Sequence, residues 1–301
     1  MDKVLLDSIA QFIQKRSRLY FTEQKRSVLK QRLEERLAHL NLPDLAGYWS
    51  YLRNSAQEEP VLLDLLTINE TSFFRNPGQF RFFTERIIPE LETERGEEVV
   101  RSWGGAEPAP AGAIMKMRIL CAGCSTGEEP YSVAMALFDA LKYPRAWNIE
   151  ILAGDLSKSC IRTAAAGYYE TARLKGLPVA YVNKYMGKDG EGSVVKDEIK
   201  RLIRFCHMNL VDVINGEPLP GHEQDNELFD IIFCRNVMIY FSPETQQQLV
   251  DTLFRLLTPG GYLFTGDAEP LHLFKHDFEP VREAGCLIYK KMETSSYVEA
   301  V

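Results

Sequence analysis

Residues 117–141 read MRILCAGCSTGEEPYSVAMALFDAL, and this stretch decides the fold. Its first six residues are mostly apolar, which predicts a buried strand from Met117 to Ala122. Two glycines bound a tight turn at 123–127, and residues 130–141 have the composition of a helix. A strand, a glycine turn and a helix in this order form the first unit of a parallel α/β sheet.

The same alternation continues along the rest of the chain. The segments that repeat it are a strand at 149–153 ending at Gly154-Asp155, a helix from Lys158, a strand at 229–234, a helix at 244–257 and a strand at 261–265. Strands separated by helices predict a mostly parallel, doubly wound, Rossmann-like α/β sheet. Between about 170 and 207 the alternation stops, and glycines among short apolar runs predict a small antiparallel β insertion.

The first 70 residues follow a different pattern, because apolar residues such as Ile9, Ile13, Leu29 and Leu33 recur at helical spacing. A chain of 301 residues is long enough for two domains. The region at 93–113 is rich in Glu, Gly, Ala and Pro, which predicts a flexible surface connection. The expected organisation is an all-helical domain at 1–75, a linker helix and flexible connection at 76–113, and an α/β domain at 114–301 with its β subdomain at about 170–207.

Composition favours a cytoplasmic protein. Hydrophobic residues make up 45% and charged residues 26% of the sequence, and no apolar run reaches the ~20 residues that cross a bilayer, so no membrane insertion is expected. The N-terminus lacks the apolar core of a secretory signal. A net charge of −7 argues against nucleic acid as a partner. The Cys121-x-x-Cys124 pair has no second pair at zinc-ligand distance, and the histidines form no ligand set, so no metal is expected.

Carboxylates around the glycine turn indicate the class of ligand. Asp155 ends the next strand, where a carboxylate can accept hydrogen bonds from both ribose hydroxyls. Ser125 replaces the middle glycine of a dinucleotide motif, and Glu128 and Glu129 would repel a pyrophosphate but attract a methionyl ammonium. The sequence therefore favours S-adenosylmethionine over NAD, with Glu129 at the ammonium and Glu128 mainly at the helix dipole. Which glutamate holds the ammonium stays open, as does a turn that binds no ligand.

Three longer motifs add a resemblance to a known family. They are TINETSFFR at 67–75, STGEEPYS at 125–132 and FCRNVMIYF at 233–241. In this order they resemble the chemotaxis receptor methyltransferases (the CheR family), and the resemblance covers nearly the whole chain. It implies a methyltransferase domain that uses S-adenosylmethionine, leaves S-adenosylhomocysteine as product, and forms glutamate methyl esters on the cytoplasmic domains of methyl-accepting chemoreceptors in chemotaxis adaptation.

The resemblance also implies a role for each matching residue. The implied cofactor contacts are Asn69, Thr71, Arg75, Glu129, Asp155, Asn209, Leu210, Arg235 and Asn236. The first three would close over the cofactor from the segment between the domains, Asn209 would bond the adenine edge, and Leu210 would pack on its face. The catalytic candidates are Arg75, Arg235 and Tyr240, because one arginine can hold the incoming carboxylate while the tyrosine orients it.

Other interpretations stay open at this level. The polar residues at 69–75 can cap a helix beside a core cluster, and Tyr240 can be a core aromatic residue. A methyltransferase with another substrate, or a cofactor-binding adaptor without catalysis, is compatible with the same motifs. The basic residues at 25–36 can form a solvated helix face or a surface for an acidic receptor, and the β insertion can dock a receptor peptide.

Overall fold

The structure is a computed structural model that describes residues 3–67, 69–102, 115–221, 228–283 and 285–292. Its α-helices are α1 (Lys3–Ser17), α2 (Glu23–Leu40), α3 (Leu45–Asn54), α4 (Glu58–Leu66), α5 (Pro77–Phe82), α6 (Ile88–Ser102), α7 (Glu128–Ala140), α8 (Lys158–Ala166), α9 (Val179–Tyr185), α10 (Asp197–Lys200), α11 (Leu210–Ile214) and α12 (Pro243–Leu256). Its strands are β1 (Met115–Ala122), β2 (Trp147–Asp155), β3 (Tyr168–Glu170), β4 (Met186–Asp189), β5 (Gly192–Val195), β6 (Ile203–His207), β7 (Phe229–Cys234), β8 (Leu257–Thr265), β9 (Phe278–Glu283) and β10 (Cys286–Lys291). In these ranges, no helix combines the length and the apolar composition that a bilayer crossing requires.

The first four helices pack into a bundle around their own apolar core. Thr22 and Asp44 begin α2 and α3 by accepting hydrogen bonds from the backbone N–H groups of Lys25 at 3.3 Å and Gly47 at 2.8 Å. The core side chains include Ile9, Ile13, Leu29, Leu33, Tyr48 and Leu62. The predicted all-helical N-terminal region is confirmed, because the apolar stripe read from the sequence is the face that this bundle buries.

The basic residues of α2 are mostly neutralised inside the helical bundle. Arg36 donates two hydrogen bonds to the buried Glu58 carboxylate, at 2.9 and 2.6 Å, and the Tyr48 hydroxyl donates a third at 3.0 Å. The other ion pairs of this helix are Arg26 with Asp7, Lys30 with Glu34 and Arg32 with Glu35. The face formed by residues 25–36 therefore carries much less free positive charge than its sequence suggests.

Residues 77–102 form one continuous helical rod that follows the bundle. It consists of α5, a π-helical turn at Phe83–Ile87, and α6. The rod contradicts the flexible connection predicted from residue 93, since Gly96 lies inside α6, where a glycine costs only about 1 kcal/mol and the flanking Glu and Arg residues favour helix. The rest of the predicted connection, 103–113, lies outside the described residues, as does the chain from 293 onward.

The main sheet has the strand order β6-β2-β1-β7-β8-β10-β9 within the described chain. The first five strands are parallel, and β10 and β9 add an antiparallel hairpin at one edge. β1 and β7 lie at the centre, where Ile119 pairs with Ile231 and Cys121 with Phe233. These side chains are buried because helices cover both faces of the sheet. The predicted doubly wound fold is confirmed.

A second sheet of three antiparallel strands, in the order β3-β5-β4, follows α8. Gly190, with φ 56°, lies in the turn between β4 and β5. The predicted antiparallel insertion is confirmed, but its expected end at about 207 is too late, because β6 pairs with β2 in the main sheet. A short, half-exposed edge strand has the same alternating pattern as a hairpin strand, so the sequence pattern alone could not separate them.

We expect Arg36→Ala to lower the free energy of unfolding by about 3–5 kcal/mol, because it leaves the Glu58 carboxylate buried without its cation. Urea unfolding followed by circular dichroism measures this change. Arg32→Ala is the matched control, since its partner Glu35 is exposed and such pairs contribute about 0–1 kcal/mol. Equal losses in the two variants would contradict the role assigned to the buried pair.

Candidate functional site

Strands β1 and β7 end side by side where the strand order reverses. From β1 the chain moves outward to β2 and β6, and then crosses to β7 on the opposite side of β1. In open parallel sheets, ligands bind in the crevice beyond the carboxyl ends of the strands at such a switch point. The loops at 123–127 and 235–240 leave the two strands here, so the fold brings two of the predicted motifs to one crevice.

The loop after β1 is held by backbone hydrogen bonds and by a required glycine. The N–H groups of Gly123 and Cys124 both donate to the Gly154 carbonyl, at 2.8 and 2.9 Å. Gly123 has φ 85°, and a Cβ there would lie 2.3 Å from a Val237 methyl, so only glycine allows the two loops to approach this closely. Burial raises the pKa of the Cys124 thiol well above its ordinary value, which makes this cysteine a packed residue rather than a reactive one.

Asp155 ends β2 with its carboxylate fixed by two backbone groups. Oδ2 accepts a hydrogen bond from the Ser125 N–H at 2.8 Å, and Oδ1 accepts one from the Ser157 N–H at 2.8 Å. Burial raises the pKa of Asp155, and these two hydrogen bonds oppose part of that rise. Each carboxylate oxygen retains a second lone pair, so the group can still accept hydrogen bonds from two ribose hydroxyls.

Glu129, in the first turn of α7, lies beside Arg235 with 12% of its side chain exposed. Its Oε2 accepts a hydrogen bond of 3.0 Å from Arg235 Nη1. Arg235 Nη2 donates to the Arg75 carbonyl at 2.7 Å and to the Asn76 side chain. Burial raises the pKa of Glu129, and the guanidinium opposes part of that rise. Arg235 thus orients Glu129 from one side, and the carboxylate contributes to the wall of the crevice on the other.

Glu128 has different surroundings, although it is adjacent in sequence. Its carboxylate accepts a hydrogen bond of 2.7 Å from the Thr126 hydroxyl and pairs with Arg173 of the β insertion. Arg173 also donates to the Thr126 hydroxyl at 2.7 Å, and it lies over the Tyr169 ring. Glu128 is absent from the crevice wall. It connects the glycine loop to the insertion, so that of the two glutamates Glu129 is the one that lines the crevice.

The segment 69–75 lies against the glycine loop. The Ser125 hydroxyl donates to the Asn69 carbonyl at 3.2 Å, and the Phe74 N–H donates to the Ser132 hydroxyl at 2.9 Å. Phe74 has φ 52°, which is unusual for a bulky side chain. Such a conformation persists only where surrounding contacts impose it, so the segment is held firmly against α7.

Arg75 differs from the other arginine of the crevice in its partners. It is half-buried, and its Nη1 donates to the Glu70 carbonyl at 3.1 Å. No carboxylate of the described residues lies within ion-pair distance of it. The Arg235 guanidinium, in contrast, is paired with Glu129 and with the segment that carries Arg75. Of the two predicted arginines, Arg75 has the donors that an incoming carboxylate needs.

Tyr240 reaches the crevice beside the helical bundle. The Tyr20 N–H donates to the Tyr240 carbonyl at 2.8 Å, and Leu19 forms an isolated antiparallel bridge with Phe241. Lys25 Nζ lies 5.6 Å from the centroid of the Tyr240 ring. A tyrosine hydroxyl is protonated at neutral pH and can donate a hydrogen bond, and burial raises the pKa of Tyr240 further.

These groups surround a cavity of about 900 Å³, including its open mouth. The predicted site residues that line it are Asn69, Thr71, Arg75, Glu129, Asp155, Leu210, Arg235, Asn236 and Tyr240. The tertiary structure therefore brings together residues from the domain joint, α7 and three strand ends. Their individual roles toward a ligand stay predictions.

Asn209 is the predicted residue that does not line the cavity. Its Oδ1 accepts a hydrogen bond from the Val211 N–H at 3.1 Å and so begins α11, while its Nδ2 donates to the Arg16 carbonyl at 2.9 Å. The Asn209 side chain is therefore engaged as a helix N-cap, and its bond to the adenine edge stays a prediction. The neighbouring Leu210 does line the cavity, as expected.

Three residues of the site region have no signal in the sequence. Ser17 and Leu19 line the cavity from the end of α1, and only the docking of the helical bundle brings them there. Glu269 is buried behind the loop that follows β7 and accepts hydrogen bonds from that loop. An acidic residue in a turn is usually exposed, so its burial could not be predicted from composition or periodicity.

The residues of this cavity fit S-adenosylmethionine. The Glu129 carboxylate at the cavity wall would suit a methionyl ammonium, and the Asp155 carboxylate has acceptors that would suit a ribose diol. Leu156, Leu210 and Val237 provide apolar surface for a purine. Over the described ranges, no group of His, Cys, Asp and Glu side chains is arranged to hold a metal ion.

Comparisons with known protein families give two matches. The family described as "CheR methyltransferase, SAM binding domain" matches residues 69–285. The family described as "CheR methyltransferase, all-alpha domain" matches residues 5–67. The first match contains the main sheet except β10 and most of the cavity, and the second contains nearly all of the helical bundle.

Several relatives match most of the chain. Chemotaxis protein methyltransferase 2 of Vibrio cholerae is 30% identical over 84% of this chain and 81% of its own length. Chemotaxis protein methyltransferase 2 of Pseudomonas aeruginosa is 31% identical over 92% of this chain and 91% of its own length. The probable biofilm formation methyltransferase WspC of Pseudomonas aeruginosa is 32% identical over 85% of this chain, but the match spans only 54% of that relative.

We expect Asp155→Asn to weaken S-adenosylhomocysteine binding by about ten-fold or more, because the amide has one acceptor oxygen where two hydroxyls and two backbone groups need acceptors. Isothermal titration calorimetry measures the dissociation constant. Asp251→Asn, at an exposed position of α12, controls for the loss of one charge. Unchanged affinity in Asp155→Asn would exclude the ribose contact.

Binding should also depend on pH through Glu129. Because burial raises its pKa, Glu129 becomes protonated at a higher pH than an ordinary glutamate, whose pKa is about 4.3. A protonated carboxyl no longer attracts the ammonium, so affinity for S-adenosylhomocysteine should be retained above the raised pKa and fall as the pH decreases through it. Calorimetric titration across this range measures the profile. Glu129→Gln should bind S-adenosylhomocysteine weakly, and its affinity should not fall further as the pH decreases. If the variant has the same pH profile as the wild type, another group is responsible for the titration.

Proposed function

The chain belongs to the CheR methyltransferase family and is an S-adenosylmethionine-dependent methyltransferase of chemotaxis adaptation, and on this premise we propose that it methylates glutamate side chains in the cytoplasmic domains of chemoreceptors. The observation that carries the proposal is Arg75, a half-buried arginine at the cofactor cavity with no carboxylate partner among the described residues. A guanidinium in this position suits a substrate carboxylate. The product of the reaction is a glutamate methyl ester.

Methyl transfer to a carboxylate places few chemical demands on the protein. When bound, S-adenosylmethionine supplies an electrophilic methyl group on a positively charged sulfur. A glutamate side chain is ionised at neutral pH, since its pKa is about 4.3, so no general base is needed. The residues of the cavity therefore act by placing one carboxylate oxygen in line with the methyl group and by keeping water away.

The two arginines have different roles in this proposal. Arg75 holds the incoming carboxylate, because its charge is not neutralised by the described residues around it. Arg235 is a positioning residue that orients Glu129 and fixes the backbone of the domain joint. This division places one arginine on the substrate side and one on the cofactor side of the cavity.

Tyr240 is the second substrate contact that we propose. A tyrosine hydroxyl is protonated at neutral pH, and burial raises the pKa of Tyr240 further, so it can donate a hydrogen bond to the carboxylate oxygen that does not react. Lys25, over the ring, restrains the orientation of the side chain from the helical bundle. Residues of both domains thus position the substrate carboxylate in this proposal.

The receptor is proposed to approach the cavity mouth beside α2. Lys25 lies there, next to Tyr240, while the remaining basic residues of this helix have acidic partners. Attraction for an acidic receptor surface is therefore concentrated near Lys25 instead of being spread along the helix. The edge strands β3 and β4 of the small sheet are a second candidate contact, where an extended receptor peptide could add a strand.

A second candidate function has the same chemistry but another pathway. The relative WspC carries a name that refers to biofilm formation, and its identity of 32% is close to the 30% of the chemotaxis protein from Vibrio cholerae. A receptor that controls biofilm formation is therefore the alternative substrate. Deleting the gene and comparing swimming toward attractants with surface attachment distinguishes the two pathways.

Transfer of a tritiated methyl group from S-adenosylmethionine to receptor-containing membranes tests the proposed reaction. We expect base to release the label as methanol, because esters hydrolyse in base and methylated amines do not. Receptors whose acceptor glutamates are replaced by alanine should take up no label. Base-stable label would assign another acceptor group, and binding of the cofactor without transfer would support an adaptor.

Arg75→Ala is the diagnostic variant in this assay. We expect kcat/KM for the receptor to fall by about ten-fold or more, with a smaller loss of S-adenosylhomocysteine affinity, since the guanidinium mainly holds the substrate carboxylate. Arg81→Ala, at an exposed position of α5, is the matched control. Equal activity in the two variants would remove Arg75 from the substrate site.

A further inference from the structure

Glu269 is a buried carboxylate that belongs to none of the three motifs. It lies in the turn after β8, is 4% exposed, and its own N–H donates to the Gly266 carbonyl at 2.9 Å. No lysine, arginine or histidine of the described chain forms an ion pair with it. Burying a carboxylate is unfavourable unless hydrogen-bond donors replace the lost water. The donors around Glu269 therefore show which segments of the chain this carboxylate holds.

Three backbone N–H groups supply those hydrogen bonds. Oε2 accepts from Asn236 at 2.6 Å and from Gly266 at 2.9 Å, and Oε1 accepts from Ile239 at 3.2 Å. Asn236 and Ile239 belong to the loop after β7, and Gly266 follows β8. One side chain therefore joins the loop to the neighbouring strand of the sheet, through charge-assisted hydrogen bonds.

The loop that Glu269 holds includes cavity residues, and Arg235 and Tyr240 of the cavity lie at its two ends. Arg235 comes immediately before Asn236, and Tyr240 comes immediately after Ile239. Asn236 has φ 60°, in the left-handed region that few residues other than glycine adopt. A fixed acceptor for its N–H helps to hold this conformation, so the direction in which Arg235 and Tyr240 leave the loop depends on the Glu269 carboxylate.

Gly266 allows the carboxylate to reach the loop. A Cβ at this position would lie 2.6 Å from Glu269 Oε2 and 2.9 Å from Asn236 Nδ2, which is closer than such atoms approach in proteins. Any larger residue would have to push the carboxylate or the asparagine away. The contact between the Glu269 carboxylate and the loop therefore requires both a glycine at position 266 and an acidic residue at position 269.

We propose that Glu269 is a positioning residue for methyl transfer, which fixes the loop 236–239 so that Arg235 and Tyr240 keep their places in the cavity. It does not line the cavity itself and acts through the backbone of the loop. This inference rests on the proposed function, because it concerns the same cavity. An amide in place of the carboxylate would keep the shape of the side chain. Its NH₂ group would face at least one of the three backbone N–H groups, and because both are donors that hydrogen bond would be lost.

Glu269→Gln in the full chain tests the proposal. We expect the dissociation constant of S-adenosylhomocysteine to rise, or kcat at saturating S-adenosylmethionine to fall, by about ten-fold or more per folded molecule. Circular dichroism at the assay temperature gives the folded fraction. Glu279→Gln, an exposed carboxylate on β9, should leave both constants unchanged. If Glu269→Gln lowers the melting temperature but leaves both constants within about two-fold of wild type, Glu269 is only structural and the proposal is overturned.

Gly266→Ala perturbs the same contact without removing the charge. We expect a similar loss of binding or turnover, because the new methyl group displaces Glu269 Oε2 from the Asn236 N–H. Wild-type constants in this variant would overturn the proposal even if Glu269→Gln does not fold.

The wild-type chain distinguishes a failure of the proposed function from a failure of the role proposed for Glu269. A wild type that neither binds S-adenosylhomocysteine nor labels receptors contradicts the proposed function, whereas a competent wild type with unaffected variants contradicts only the role of Glu269.

Discussion

A buried guanidinium connects the parts of this molecule that form the cavity. Arg235 follows β7 with 1% of its side chain exposed, and its donors reach Glu129 in α7 and the Arg75 carbonyl in the segment between the domains. Removing an arginine from water is unfavourable unless its partners are in place. The end of β7, the first turn of α7 and the domain joint must therefore assemble together, and the cavity exists only when they do.

The buried carboxylates around this arginine are stabilised in two ways, and the difference has a functional consequence. Glu129 is paired with a cation, which ties it to the position of Arg235. Asp155 and Glu269 are held by backbone N–H groups instead. Backbone donors hold an acid without adding a competing side chain, so Asp155 retains free lone pairs toward the cavity. Glu269 uses the same kind of contact to hold a loop.

The helical bundle is part of the site and not an independent appendage. Leu19 and Ser17 contribute to the cavity wall, and Tyr20 and Lys25 contact Tyr240. A crevice at the end of a parallel sheet is open on the side away from the strands, and here the bundle covers part of that side. Because Lys25 of the bundle lies beside Tyr240, the element that covers the cavity also borders the mouth at which we propose that the receptor docks.

Periodicity and glycine turns are local signals, and they predicted the helical N-terminal region, the strands β1, β2, β7 and β8, and the position of Asp155 at a strand end. They did not separate β6 from the insertion or predict the hairpin of β9 and β10. The sequence also marked the motifs that meet in the cavity. Only the packing of elements distant in sequence placed Glu129 and not Glu128 at the cavity wall, left Arg75 rather than Arg235 without a carboxylate partner among the described residues, and made Asn209 a helix N-cap. Adjacent residues of a helix point about 100° apart, but which direction meets a cavity depends on elements that are distant in sequence.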